Sequence, residues 1–201
     1  ASSLYNVADT LWVARLGYQA IAALAVVFPY QILVTAVGIG TGAGVSALVS
    51  RRFGESNIEA TNHAAGQVFF LSAFWGVSFL LIAIGFARPI LTAIGATPDV
   101  MEQAARYLVI TSCGAPALVF VLVVGSLIRS SGDAVKPMVM MVAASVLNMV
   151  LDPCLILGIG PVPALGISGA AIATALSQCI GALIGLYYLL GLRTSFRVRA
   201  S

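Results

Sequence analysis

Charge is what this 201-residue chain has least of. Only 8% of its residues are Asp, Glu, Lys or Arg, while 60% are hydrophobic. A soluble domain averages roughly a quarter charged. The shortage excludes a single water-soluble core and leaves a set of apolar spans. Histidine is nearly absent: His63 stands alone with no Cys or carboxylate cluster beside it, which argues against a metal centre there. Cysteine is scarce and odd in number. Cys113, Cys154 and Cys179 lie in apolar runs without metal-ligand spacing, and are expected to pack as small apolar side chains. No signal peptide is visible. The chain opens at Ala1 without Met and already inside an apolar segment, so its start is expected to lie upstream.

The gaps between charges outline the spans. Arg15 to Arg51 encloses 35 uncharged residues, Glu59 to Arg88 encloses 28, Arg106 to Arg129 encloses 22, and Asp152 to Arg193 encloses 40. A spanning helix needs about 20 mostly apolar residues. With the pieces around Asp9 and Asp152, the pattern predicts an all-α membrane protein, a six-transmembrane-helix bundle. Its helices fall near 1–16, 20–49, 60–87, 100–129, 135–157 and 167–192, and 193–201 forms a basic tail or the start of a linker.

The net charge of +3 is read by location, not as a nucleic-acid surface. Arg51, Arg52, Arg129, Lys136, Arg193, Arg197 and Arg199 fall on one side of such a bundle. Arg15, Arg88 and Arg106 fall on the other. Basic residues accumulate in cytoplasmic loops, so the first group and both termini are expected in the cytoplasm.

Glycines at 38, 40, 42 and 44 precede Ser46 in the second span. They lack the Gly-Lys-Ser/Thr ending of a phosphate loop. Gly40 and Gly44 have the spacing that lets helices approach closely, and Gly166, Gly169, Ala170, Ala171 and Ala173 suggest the same for the sixth span. Pro29, Pro116 and Pro153 fall inside spans, where each is expected to kink or break its helix.

The densest polar feature is Leu147-Asn148-Met149-Val150-Leu151-Asp152-Pro153. No other charge lies within fifteen residues before Asp152 or forty after it. An ionisable residue in a membrane span is a functional-site hypothesis by default. Asn148 and Asp152 are four apart and leave the same helix face. Pro153 cannot bond the carbonyl of Met149, which leaves a bare acceptor near the carboxylate.

Only Asp9 and Asp152 are carboxylates well inside spans. Both sit roughly 10 Å from the outer face, counting 1.5 Å per residue. Asn6 precedes Asp9 by three, as Asn148 precedes Asp152 by four. Tyr107 and Thr111 share one face of the fourth span, and Thr174, Ser177 and Gln178 are polar groups in the sixth. Such a cluster can bind a proton or a small cation. The competing reading is structural, with each acid paired to backbone or a hydroxyl.

At these residues the chain resembles the multidrug and toxic compound extrusion (MATE) family. The motifs are Val7-Ala8-Asp9-Thr10-Leu11-Trp12-Val13-Ala14-Arg15-Leu16-Gly17, Ser50-Arg51-Arg52-Phe53-Gly54, and Arg129-Ser130-Ser131-Gly132-Asp133 with Pro137-Met138. Leu147-Asn148 with Leu151-Asp152-Pro153 and the stretch Gly166-Ile167-Ser168-Gly169 through Thr174 complete the set. Ser131 departs from the family, which more often has Gly there.

The resemblance implies one lobe of a twelve-helix transporter, the N-terminal one, with the second six-helix lobe outside this sequence. It implies an antiporter in the cell membrane, exporting organic cations and drugs against H⁺ or Na⁺, with no cofactor. It assigns the cation or proton site to Asp9, Asn148 and Asp152, where Na⁺ could also sit. It lines the pocket with Tyr107 and Thr174, and Asn6 and Gln178 lie beside them. The presence of both acids resembles the DinF-type branch. Expected partners are a small cationic amphipathic substrate, membrane lipid and the second lobe.

Three alternatives stand beside this reading. A lipid-linked oligosaccharide flippase of the same superfamily would carry basic residues deep in the spans, and none is there. A membrane aspartyl protease would pair two acids but present Tyr-Asp and Gly-x-Gly-Asp, and neither occurs. A structural membrane subunit would turn both acids toward packed neighbours and not toward a cavity.

Overall fold

The computed structural model describes residues 10, 12–55, 58–158 and 163–190, with 53–54 and 58–65 described through the backbone alone. Asp9, Asn6 and the basic tail, on which several expectations rest, lie outside the described residues.

Among the described residues six helices run in order from Tyr18 onward: α1 (Tyr18–Gly54), α2 (Ile58–Ile94), α3 (Pro98–Cys113), α4 (Ala115–Ser130), α5 (Val135–Leu157) and α6 (Ile167–Leu190). Among the described residues four are long and apolar enough to cross a membrane: α1, α2, α5 and α6. The pair α3 and α4, bent by 47° at a short break, makes a fifth crossing if taken as one span. The first expected span, near 1–16, falls mostly outside the described residues.

The break lies at Gly114, inside the span expected over 100–129. Pro116 sits in the first turn of α4, where its missing N–H is harmless but where it cannot continue the α3 ladder. Pro29 and Pro153 behave differently. The chain stays helical through both, because the flanking hydrogen bonds hold the helix when one is lost. The second long helix also corrects an expectation. Helix α2 does not end near 87 but continues to Ile94, with a kink at Phe86 (φ −127°, ψ 20°). Pro89, three residues on, has no N–H for the carbonyl of Gly85 and its ring crowds that carbonyl.

Helix α4 is the hub and packs against every other described helix, whereas α5 packs mainly on α4 and α6. Glycines set the closest approaches. A Cβ on Gly38 would stand 2.7 Å from Leu122 Cδ1, and one on Gly42 2.9 Å from Ser126 Cβ. Both pairs advance together along the chain, so α1 and α4 run parallel. Gly40 and Gly44, expected to make this contact, face open space within the described chain. Four alternating glycines split over two sides of a helix, and α4 lies on the other side. A Cβ on Gly76 of α2 would collide with the Pro116 ring, so α2 seats against the break. Phe69 and Phe120 meet nearby, their rings tilted by 41° with centroids 5.5 Å apart.

Helices α5 and α6 form a tight antiparallel hairpin. Gly158 ends α5 in the left-handed region (φ 73°), which glycine adopts without penalty. The chain then folds back, with the N–H groups of Leu165 and Gly166 donating to the carbonyls of Leu155 and Ile156. Gly169 lies directly on the Leu155 carbonyl, and Gly181 and Gly185 continue the contact against Met140 and Ala144. Gly169, Ala170, Ala171 and Ala173 are all buried. Cys113 and Cys179 instead are exposed, and Cys154 is half-buried; none is disulfide-bonded.

The charged ends segregate. Arg51 and Arg52 pair with Glu55 at the end of α1, and Lys136 pairs with Asp133 before α5. Parallel α1 and α4 bring Arg51, Arg52, Arg129 and Lys136 to one end of the bundle. At the other end Tyr18 donates to Asp99 at 3.2 Å, joining the starts of α1 and α3.

Candidate functional site

The α5–α6 hairpin places three of the sequence-selected residues in contact. Asp152 is fully buried, Asn148 is 1% exposed and Thr174 3% exposed. As assigned, the Asn148 amide nitrogen donates to Thr174 Oγ1 at 3.4 Å. Rotating the amide gives the better network: its nitrogen then donates to Asp152 Oδ2 at 3.0 Å, and its oxygen accepts from the Thr174 N–H at 3.2 Å. Amide orientation is chosen from the hydrogen bonds it makes, and the rotated form satisfies both ends. The result is a chain from a buried carboxylate on α5, through the amide one turn earlier, to α6.

This chain ends on a cavity. A space of about 510 Å³ is walled by α1, α3, α4, α5 and α6, and Thr174, Tyr107 and Gln178 line it. Asn148 and Asp152 stand behind that wall. Tyr107 is 1% exposed, on the same face of α3 as Thr111, which donates to the Tyr107 carbonyl at 2.8 Å. Pro153 follows Asp152 directly inside α5, and Pro116 follows the Gly114 break, whose neighbour Ala115 lines the cavity. Pro29 adjoins Tyr30, whose hydroxyl donates to the Phe79 carbonyl at 2.5 Å and ties α1 to α2.

The break at Gly114 gathers Ser177 and Gln178, already singled out in the sixth span, with further groups that the sequence gave little reason to select. Ser112 and Ala115 line the cavity with Ser177 and Gln178. Gln178 Oε1 lies against Gly114, and the side-chain oxygens of Ser177 and Gln178 are buried without a hydrogen-bond partner. Tyr30, Gln31, Thr35 and Ser145 also line the space. The available signal was spacing alone: Gln31 and Thr35 are four apart in an apolar run.

Asp9 and Asn6 lie outside the described residues, so their distance to Asp152 is not part of this geometry. Among the described residues no group of three or more His, Cys, Asp and Glu side chains could hold a metal ion. A cation held at Asp152 would therefore rest first on one carboxylate, because the rotated Asn148 amide turns its nitrogen toward it. That donor set suits a hard cation such as Na⁺ or a proton.

Four long apolar helices with buried polar groups beside a cavity are the features of a multi-pass membrane protein. The comparisons carry this to a family. The MatE family model matches residues 1–154, and the chain belongs to that family. It is 33% identical over 92% of its length to the FAD transporter of Shewanella oneidensis, of which it covers 41%. It is 28% identical over 98% of its length to the probable multidrug resistance protein NorM of Thermotoga maritima, covering 42% of that protein. Among solved structures, an inward-facing multidrug resistance MATE family transporter of the MOP superfamily superimposes with a TM-score of 0.90. That match has 33% identity and covers 99% of this chain and 44% of the other. A MATE structure in the bent conformation gives 0.87 at 34% identity, covering 94% and 42%. The chain thus spans about two fifths of the length of the relatives it matches.

Proposed function

We propose that residues 1–192 form the N-terminal six-helix lobe of a secondary active antiporter. It exports organic cations and drugs in exchange for H⁺ or Na⁺ and uses no cofactor, and residues 193–201 lead toward the second lobe. The observation that carries this reading is the buried chain Asp152–Asn148–Thr174 ending on the wall of a cavity. A carboxylate isolated from water takes up a proton or a cation readily when neutral oxygens complete its shell. Thr174 belongs to both the acid's network and the cavity wall, so loading Asp152 alters what the cavity offers to cargo. Coupling requires such a difference in affinity between two states, and nothing more.

The roles follow. Asp152 holds the coupling ion with the expected Asp9, and Asn148 serves the site by donating to the Asp152 carboxylate; Tyr107, Thr174, Gln178 and the expected Asn6 line the path to the cargo. The bundle sits in the cell membrane with its arginine-rich end and both termini in the cytoplasm.

A second reading, export of a flavin dinucleotide, is favoured by the name of the Shewanella oneidensis relative. Against it, no Lys or Arg among the described residues lines the cavity to meet a pyrophosphate.

The test uses the full-length protein in proteoliposomes. Efflux of a cationic dye is followed under an imposed pH gradient and then a Na⁺ gradient, beside efflux of flavin dinucleotide. Dye movement under one gradient, lost in Asp152→Asn, supports the proposal. Dye movement that survives in the variant returns Asp152 to a structural role. Movement of the dinucleotide alone selects the second reading.

A further inference from the structure

We propose that the exposed face of α2 carries a binding site for an anionic phospholipid. The phosphate pairs with Arg88 in a cleft between α2 and α3, and the acyl chains lie along the apolar stripe that leads to it. The site rests on the bundle spanning a membrane, and not on which ion or cargo it moves.

The exposed face of α2 is one stripe. Phe70, Phe74, Val77, Leu81 and Ile84 are all exposed. They recur at spacings of three and four, so they share one side of the helix. Arg88 is the next position on that side and is exposed too. The kink at Phe86 does not end the stripe, because the opposite face, with Phe79, Ala83, Ala87 and Leu91, stays buried through it. The apolar stripe therefore runs into a guanidinium.

Arg88 lies inside the apolar span Gly66–Ile94. It stands six residues before Ile94, the last residue of α2, or about 9 Å from the helix end. A charge within a span is costly unless it is paired or reaches the interface. Among the described residues no carboxylate pairs with Arg88. It lines a cleft of about 540 Å³ together with Thr92, Met101 and Glu102. Glu102 could supply the countercharge, but Arg106 already holds it at 2.6 Å. The Thr92 hydroxyl is turned back to the Arg88 carbonyl, to which it donates at 2.9 Å. The cleft keeps one uncompensated positive charge, near the end of a span, where lipid headgroups meet acyl chains.

A phosphodiester answers that charge. Its two free oxygens match the forked N–H groups of a guanidinium. A headgroup with a single net negative charge neutralises the cleft, whereas a zwitterionic one brings its own ammonium toward Arg88. The exposed face of α5 is the contrast. Val142, Val146 and Val150 lead to Pro153 and Leu157 and meet no charge, so that face offers lipid an apolar surface alone. Free phosphate would pair with Arg88 and leave the stripe of α2 bare, which is why a lipid is the better occupant.

The test uses purified full-length protein in phosphatidylcholine nanodiscs that carry a small fraction of a photoreactive lipid, with a diazirine in one acyl chain. The probe is phosphatidylglycerol in one arm and phosphatidylcholine with the same chains in the other. After illumination, adducts are mapped by peptide mass spectrometry. The wild type is expected to give about fivefold more adduct on 70–84 with phosphatidylglycerol, the worth of one basic residue at a lipid surface. Arg88→Gln should bring the two probes level there, and Arg88→Lys should keep most of the preference. Adducts on the α5 face should not discriminate between the probes, and an excess of inorganic phosphate should leave the yield on α2 unchanged. Thermal scans check that each variant is folded.

Equal yields for the two lipids on α2 of the wild type overturn the proposal, as does a preference that survives in a folded Arg88→Gln protein. Displacement of the preferred lipid by inorganic phosphate overturns it too, by making the cleft a simple anion site. Absence of adducts on 70–84 does the same, because protein and not lipid would then cover the stripe. Efflux plays no part in the readout, so the export reading can fail while this site stands, and the reverse.

Discussion

Substituting Gly169 by alanine probes the contact that holds the site together. An added Cβ would stand 2.6 Å from the Leu155 carbonyl carbon and 2.9 Å from the Ile156 nitrogen. Carbon atoms in contact prefer about 3.5–4.0 Å, so α6 must retreat from α5 by roughly 1 Å. The obstructing atoms are backbone and cannot swing aside as a side-chain tip would. Overpacking of this kind costs about 1–3 kcal/mol, and the rigid neighbour places Gly169→Ala near 3. The same retreat lengthens the Asn148–Thr174 link from 3.2 Å to about 4 Å, beyond hydrogen-bond reach. Thermal unfolding of the full-length protein in detergent should show a clear fall in Tm, with loss of coupled efflux. Gly40→Ala, in a helix and facing open space, is the control. A Gly169→Ala protein with wild-type Tm and wild-type coupling would refute the reasoning.

Other perturbations separate the remaining contacts. Gly42→Ala should destabilise by about 1–3 kcal/mol, because its Cβ would meet Ser126 Cβ at 2.9 Å and the Leu122 carbonyl at 3.2 Å; parallel unfolding scans with Gly40→Ala test the two faces of α1. Gly76→Ala should loosen α2 from the break, since its Cβ would collide with Pro116, and faster proteolysis between α3 and α4 reads this out. Asn148→Leu takes the amide donor from the Asp152 carboxylate, and loss of a hydrogen bond to a buried group costs about 1–3 kcal/mol, so thermal unfolding of the full-length variant should show a lowered Tm. Before α5, Lys136 beside Asp133, with the N–H groups of Lys136 and Val135, holds that carboxyl below its ordinary value. Its contribution is present above about pH 4 and lost as pH falls through the lowered value. Asp133→Asn should therefore unfold earlier than wild type at pH 7 and together with it in strong acid.

The spans were legible because apolar length is the strongest signal a membrane chain carries. Asn148 and Asp152 were legible for the opposite reason: polar groups in such a run stand out, and their spacing fixes a common face. Pro116 marked the place where a span divides, but not that Gly114 would carry the break between Gly76 and Gln178. The contacting glycines of α1 were not legible. Gly38, Gly40, Gly42 and Gly44 alternate, and the choice of face belongs to α4, eighty residues later in sequence. The kink at Phe86 has Gly85 and Pro89 as its sequence marks, and a proline can equally end a helix as bend it.

The central claim is that Asp152 is where the coupling ion binds. Proton release and equilibrium binding of radioactive Na⁺ should be measured on one preparation of purified full-length protein, wild type and Asp152→Asn together. The account predicts saturable uptake of one of these ions by the wild type and its loss in the variant, with the fold retained by thermal scan. Unchanged ion binding in a folded Asp152→Asn protein would contradict it.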